Sequence, residues 1–205
     1  MTIEDFGAGV ASVWQGLRPS TRNLVERALT VTPPPAVAAR GDSAYDARSE
    51  WELSRLLAAL DERAAEKGAK GLSAEVGREL RRVAETCAAV LHSEARSAEV
   101  FAQLLERGLR AHDYARVDAL SDTLTARLAP PEICELARHD NPALRAIAHE
   151  ALAQQPTSAL VDLLGDPVDA EVARMALELQ ADDYESEEAR WVVAALERID
   201  DETEE

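Results

Sequence analysis

Aromatic side chains are scarce in this 205-residue chain: 3 Trp, 3 Tyr and 2 Phe, 4% in all. The hydrophobic fraction is 46%, and much of it is alanine. A core of that kind suits closely packed helices better than a β-sandwich, where β-branched and aromatic residues carry the packing. No segment sustains a period-2 alternation rich in β-branched residues, so no sheet is expected. Cysteine is limited to Cys87 and Cys134, far apart and outside any CxxC. Both read as reduced, buried, small hydrophobes, although a Cys87–Cys134 disulfide stays open on sequence grounds. No stretch approaches the ~20 apolar residues of a membrane span. The first residues, Met1 to Phe6, are acidic and lack the basic and apolar regions of a signal peptide. A cytoplasmic location is expected.

Basic charge is also in short supply, and unevenly so. The formal net charge is −17. From Pro131 to Glu205 there are 20 Asp/Glu against 5 Lys/Arg, whereas residues 1–130 hold 19 acids and 17 bases. The chain is nearly neutral in front and strongly acidic behind. A nucleic-acid backbone or an anionic membrane surface would be repelled by the acidic part. A basic protein partner is compatible with it, and so is a plain solubilising role for the acid.

What the chain does have is helical periodicity. Residues 1–18 show no clear period, and Gly7, Gly9 and Gly16 weaken a helix there. A short helix near Thr21–Leu29 follows, with Ser20 as its N-cap. Pro33-Pro34-Pro35 then marks a linker over roughly 30–46. Beyond it, Leu53, Leu56, Leu57 and Leu60 recur at i, i+3, i+4 and i+7, one face of a helix. Gly68 and Gly71 end that helix. The next runs over 74–92 with Val76, Leu80, Val83, Cys87 and Leu91 on one side, and another over 98–111. Three later segments, near 113–127, 141–154 and 169–180, open alike: an Asp or Asn, a short gap, an Arg, then an Ala-rich apolar face. Their arginines, Arg116, Arg145 and Arg174, are spaced by 29 residues each time. A period in that range is the mark of stacked helical hairpins, which cannot bury their apolar faces alone. A last helix, started by Ser186, bears Trp191, Val192, Ala195, Leu196 and Ile199. The acidic tail from Asp200 should fray in solvent.

At two places the residues resemble HEAT-type (armadillo-type) helical repeats. One is Leu160 to Pro167 followed by Glu171-Val172 and Ala176. The other is Leu136 to Pro142 leading into Leu144-Arg145-Ala146-Ile147-Ala148, with Ala151-Leu152 beyond. The resemblance covers about 99–180. It implies an all-α fold, a short α-solenoid of about four antiparallel helical pairs. It implies little about activity, because such folds host many functions. The expected organisation is an irregular N-terminal segment over 1–46, a helical-repeat domain over 47–199 and a disordered tail over 200–205.

Chemistry-bearing patterns are thin. His92, His112, His139 and His149 show no HxxxH or HExxH spacing. His149-Glu150 resembles the His-Glu pairs of HEAT-like di-iron enzymes, but those use several pairs and this chain has one. No phosphate-binding glycine loop or GxSxG elbow is present. The acidic connector Asp182 to Glu188 lacks the ligand alternation and central glycine of an EF-hand loop. No catalytic, cofactor or metal residue is expected. The arginine series has two readings. In the resembling family such an Arg often ties a helix start to an Asp of a neighbouring turn, and Asp140 and Asp166 are at hand. Alternatively the arginines form a row that takes carboxylates or phosphates. On that second reading Arg116, Arg145, His149 and Arg174 are the partner-binding residues. The expected function is a non-catalytic interaction module for a basic or mixed-charge protein. The alternatives are a metal-dependent enzyme that uses His139 and His149, or a subunit of a larger assembly with Trp14 or Trp51 at an interface.

Overall fold

The computed structural model describes residues 2–30, 45–66 and 73–203, and all secondary structure among them is helical. Of the linker expected over roughly 30–46, residues 31–44 lie outside the described residues, as do Gly68 and Gly71. The chain forms two compact units, Met1–Arg96 and Ser97–Glu205. The boundary drawn at 46 from sequence therefore falls inside the first unit. No helix among the described residues is long and apolar enough to cross a membrane.

The first unit opens with a 3-10 turn (Ile3–Phe6), then α1 (Ala8–Gly16), α2 (Pro19–Thr30), α3 (Ala47–Ala65) and α4 (Ala74–Glu94). Among its described residues, the segment expected to be irregular is mostly helix. Its glycines weaken local propensity, but Val10 and Trp14, one turn apart, are buried together with Phe6 and Leu17. Tertiary burial overrides weak propensity. Gly7 joins the turn to α1 at φ 130°, a conformation glycine adopts without strain. The α1 helix packs on α3, and α2 on both α3 and α4. Trp14 is a core residue here, which removes it as an interface anchor. On α3, Leu53, Leu56, Leu57 and Leu60 are all fully buried, as the i, i+3, i+4, i+7 spacing requires. The α4 face presents Leu80, Val83, Cys87 and Leu91 to the same core.

The join between α2 and α3 is polar. Glu52, only 2% exposed, accepts hydrogen bonds from the Thr21 hydroxyl at 2.5 Å, and from Arg18 through its backbone N–H at 3.3 Å and its Nε at 3.4 Å. Arg18 also donates to Asp46 at 2.5 Å and to the Ser49 hydroxyl at 2.8 Å. Asp46 caps α3 by accepting from the Ser49 N–H at 2.7 Å. Glu50, also buried, accepts from the Arg96 N–H at 3.0 Å. Burial pushes the Glu52 carboxyl up, but the Thr21 hydroxyl, the Arg18 N–H and the Arg18 guanidinium outweigh it and hold it below its ordinary value of 4.5. A carboxyl depressed in the folded state contributes stability above its unfolded pKa and loses it as pH falls through the folded one. Urea midpoints measured by circular dichroism should therefore be level near neutrality and fall as pH drops below about 4.5.

The second unit contains α5 (Ala98–Ala111), α6 (Tyr114–Ser121), α7 (Leu124–Arg127), α8 (Pro130–Ala137), α9 (Pro142–Ala153), α10 (Thr157–Leu163), α11 (Ala170–Asp182) and α12 (Glu187–Thr203). The stripe Val117, Leu120, Leu124 and Leu128 is buried as the sequence implies, yet the helix carrying it breaks after Ser121. The Ser121 and Thr123 hydroxyls bond back to the carbonyls of Val117 and Leu120 at 2.9 and 2.8 Å. Such local bonds compete with the helical ladder. Helix α8 lies against α9, and α10 against α11. Across these pairs α8 also meets α10, and α9 meets α11. Helix α12 packs on α11 and touches α10. It continues as helix to Thr203, past Asp200, where the sequence places the start of a disordered tail.

Two polar features tie the second unit together. Gln180 on α11 is buried and donates from Nε2 to the carbonyls of Ala153 at 3.0 Å and Gln155 at 2.6 Å, while its Oε1 accepts from the Thr157 hydroxyl at 3.1 Å. One side chain thus satisfies the turn between α9 and α10. Arg138, at the end of α8, pairs with the buried Asp169 before α11 at 2.5 Å. Close packing sets a further constraint at Gly108 on α5, where a Cβ would lie 2.8 Å from Cγ2 of Val117 on α6. Gly108→Ala would gain about 1 kcal/mol in helix propensity but overpack that contact by about 1–3 kcal/mol. The expected net result is a lowered melting temperature, readable by calorimetry.

Candidate interaction surface

Despite their equal spacing, Arg116, Arg145 and Arg174 fall at the third, fourth and fifth residues of α6, α9 and α11. Asp113 caps α6, accepting from the Arg116 N–H at 3.2 Å, and its carboxylate sits 3.3 Å from the Arg116 guanidinium. Arg116 therefore braces its own first turn. Arg145 reaches back from α9 and donates to the carbonyls of His139 at 2.9 Å and Asp140 at 2.8 Å. Those carbonyls lie in the turn that follows α8, so Arg145 closes the α8–α9 turn. It uses the main-chain oxygen of Asp140, whereas the family resemblance implies the carboxylate. Asp166 is occupied otherwise, accepting from the Val168 N–H at 2.8 Å. Arg174 is half-buried on α11.

The histidines are placed by the same turns. His139 accepts the Asn141 N–H at Nδ1, at 3.1 Å, which leaves Nε2 as the protonated nitrogen, 4.0 Å from Glu106. Asn141 in turn caps α9 by accepting from the Ala143 N–H at 3.0 Å. His149 is half-buried, and burial first, then the Arg145 guanidinium one turn earlier, holds its imidazole below the ordinary range near 6.5. Both effects favour the neutral imidazole. Glu150 accepts a hydrogen bond from the Tyr184 hydroxyl. No group of three metal-ligating side chains converges among the described residues. Both thiols are buried, and burial pushes Cys134 up to about 11, an unreactive thiol.

What the structure adds, and the residue pattern does not announce, is apolar surface on the acidic C-terminal helices. Trp191 is 75% exposed and Ile199 56% exposed, both on α12. Met175 on α11, Val161 on α10 and Val168 between those two helices are exposed as well. In the first unit Trp51 is 49% exposed and carries the Arg55 guanidinium over its ring at 4.7 Å. The signal available in the sequence was the run Trp191 to Leu196, six consecutive apolar residues in one helix. No family model, curated protein or solved structure matches the chain.

Proposed function

We propose that this chain is a non-catalytic protein-interaction module, built in its C-terminal half as a short HEAT-like solenoid, that takes a basic or mixed-charge protein partner. The observation that supports it best is the contact pattern of the second unit. Helices α8 and α9 pair, α10 and α11 pair, and each member meets its counterpart in the next pair. That is how helical repeats stack, and stacked repeats offer extended side-chain surfaces for binding. The charge supports the kind of partner: 20 acids against 5 bases from Pro131 onward attract a basic surface and repel nucleic acid.

The four residues Arg116, Arg145, His149 and Arg174 enter this reading unequally. Arg145 serves the α8–α9 turn and Arg116 its own helix start, so the arginine row is better supported as structure than as a binding surface. Affinity capture by the intact chain from native lysate, repeated at stepped salt, tests the proposal. A specific partner that is retained at low salt and released as salt rises supports it. Failure to retain any specific protein at every ionic strength removes it.

A further inference from the structure

From the exposure of α12 we infer that its outer face is a docking site for a basic amphipathic helix of a partner protein. This rests on reading the chain as an interaction module and names the surface and the partner's chemistry. Residues Trp191 to Leu196 are apolar all round the helix, a pattern that belongs to helices covered on all sides. Yet Ala189 is the only α12 residue up to Ile199 that is fully buried. Val192, Val193, Ala195 and Leu196 are half-buried, and Trp191 and Ile199 stand in solvent. Trp191, Ala195 and Ile199 recur at i, i+4 and i+8, a stripe about 12 Å long. A stripe of that length and spacing matches the apolar face of a second helix.

Charge decides among occupants. Glu187 and Glu188 form the first turn of α12 and Glu197 follows the apolar run. The two arginines of α12 are turned to main-chain oxygens: Arg190 Nε donates to the Ala181 carbonyl and Arg198 Nε to the Ala194 carbonyl, each at 3.0 Å. The rim of the stripe is thus acidic at its N-terminal end, where Glu187 and Glu188 stand one turn before Trp191. A second copy of this chain would bring the same net charge of −17 to the contact, and an anionic bilayer would be repelled in the same way. A helix with leucines on one face and lysines or arginines on the rest satisfies both the stripe and the rim.

The probe is a synthetic Leu/Lys amphipathic helix of about 18 residues, fluorescently labelled and titrated with the intact protein, beside the same peptide with Glu for Lys. The expected result is binding of the Lys peptide only, weakening at least about tenfold between low and high salt. Trp191→Ala should weaken it by about tenfold or more, as should Ile199→Asn, while Trp51→Ala leaves it unchanged. Circular dichroism and melting of the two α12 variants should match the parent, because both side chains are exposed. Equal binding by the Trp191→Ala and parent proteins, or equal binding of the Glu peptide, overturns the assignment. So does sedimentation showing a parent dimer that Trp191→Ala dissociates, since the occupant is then a second copy. If lysate capture succeeds while the peptide ignores Trp191, the α12 assignment fails and the module reading stands. If capture fails at every salt, the module reading fails on its own evidence.

Discussion

Gln180→Leu is expected to lower the stability of the protein by about 3 kcal/mol, although it replaces a polar side chain in an apolar setting with an apolar one of similar size. The carbonyls of Ala153 and Gln155 each take a hydrogen bond from Gln180 Nε2, and the Thr157 hydroxyl donates to its Oε1. Leucine leaves all three without that partner, and two of the bonds lost, to the Ala153 carbonyl and the Thr157 hydroxyl, are buried. Each buried polar group stranded this way costs about 1–3 kcal/mol, and the apolar gain offsets only part of it. Urea denaturation followed by circular dichroism should show a lower midpoint with an unchanged slope. An unchanged midpoint would mean that the turn between α9 and α10 finds other donors.

Glu52→Ala should cost a similar amount, about 3 kcal/mol, for a related reason in the first unit. The substitution leaves the fully buried Thr21 hydroxyl only the long bond to the Ser49 hydroxyl at 3.4 Å, strands the Arg18 N–H, and leaves the Arg18 guanidinium to Asp46 and Ser49. It should also flatten the acid limb of the stability profile, since one carboxyl whose lowered folded pKa contributes to that limb is gone. A variant as stable as the parent at neutral pH, with the same loss below pH 4.5, would assign the acid sensitivity to other carboxylates.

These two residues also mark the limit of what the sequence discloses. The apolar faces of α3, α4, α5 and α9 follow from spacing, because burial of a helix side repeats every three or four residues. Leu53, Leu56, Leu57 and Leu60 were legible in that way, as were Leu144, Ala148 and Leu152. Glu52 and Gln180 were not. A buried Glu beside Leu53 reads as a solvated edge until the partner that reaches it, Arg18, is placed 34 residues away in the chain. The Arg138–Asp169 pair spans 31 residues and is hidden for the same reason.

Helix α1 was missed on different grounds, whereas α2 (Pro19–Thr30) covers the helix expected near Thr21–Leu29. Gly9 and Gly16 dilute the pattern of α1, and only the contact with α3 shows that Val10 and Trp14 have a core to fill. The arginine spacing was visible, but its use was not: a side chain that serves a carbonyl leaves no complementary residue type to find, as Arg145 shows. On α12 the apolar run was plain, whereas its exposure depends on how many neighbours the helix has.

The most direct measurement of the account is zero-length carbodiimide cross-linking of the intact protein in native lysate at low and high salt, with the linked peptides identified by mass spectrometry. The reagent joins carboxylates to lysines, which suits a chain with 39 Asp and Glu residues and a partner recognised by its basic charge. One specific protein should be recovered, joined through its lysines to acids of residues 157–199, and lost as salt rises. No specific cross-linked protein, or one joined only to residues 2–30 and 45–66 regardless of salt, would contradict it.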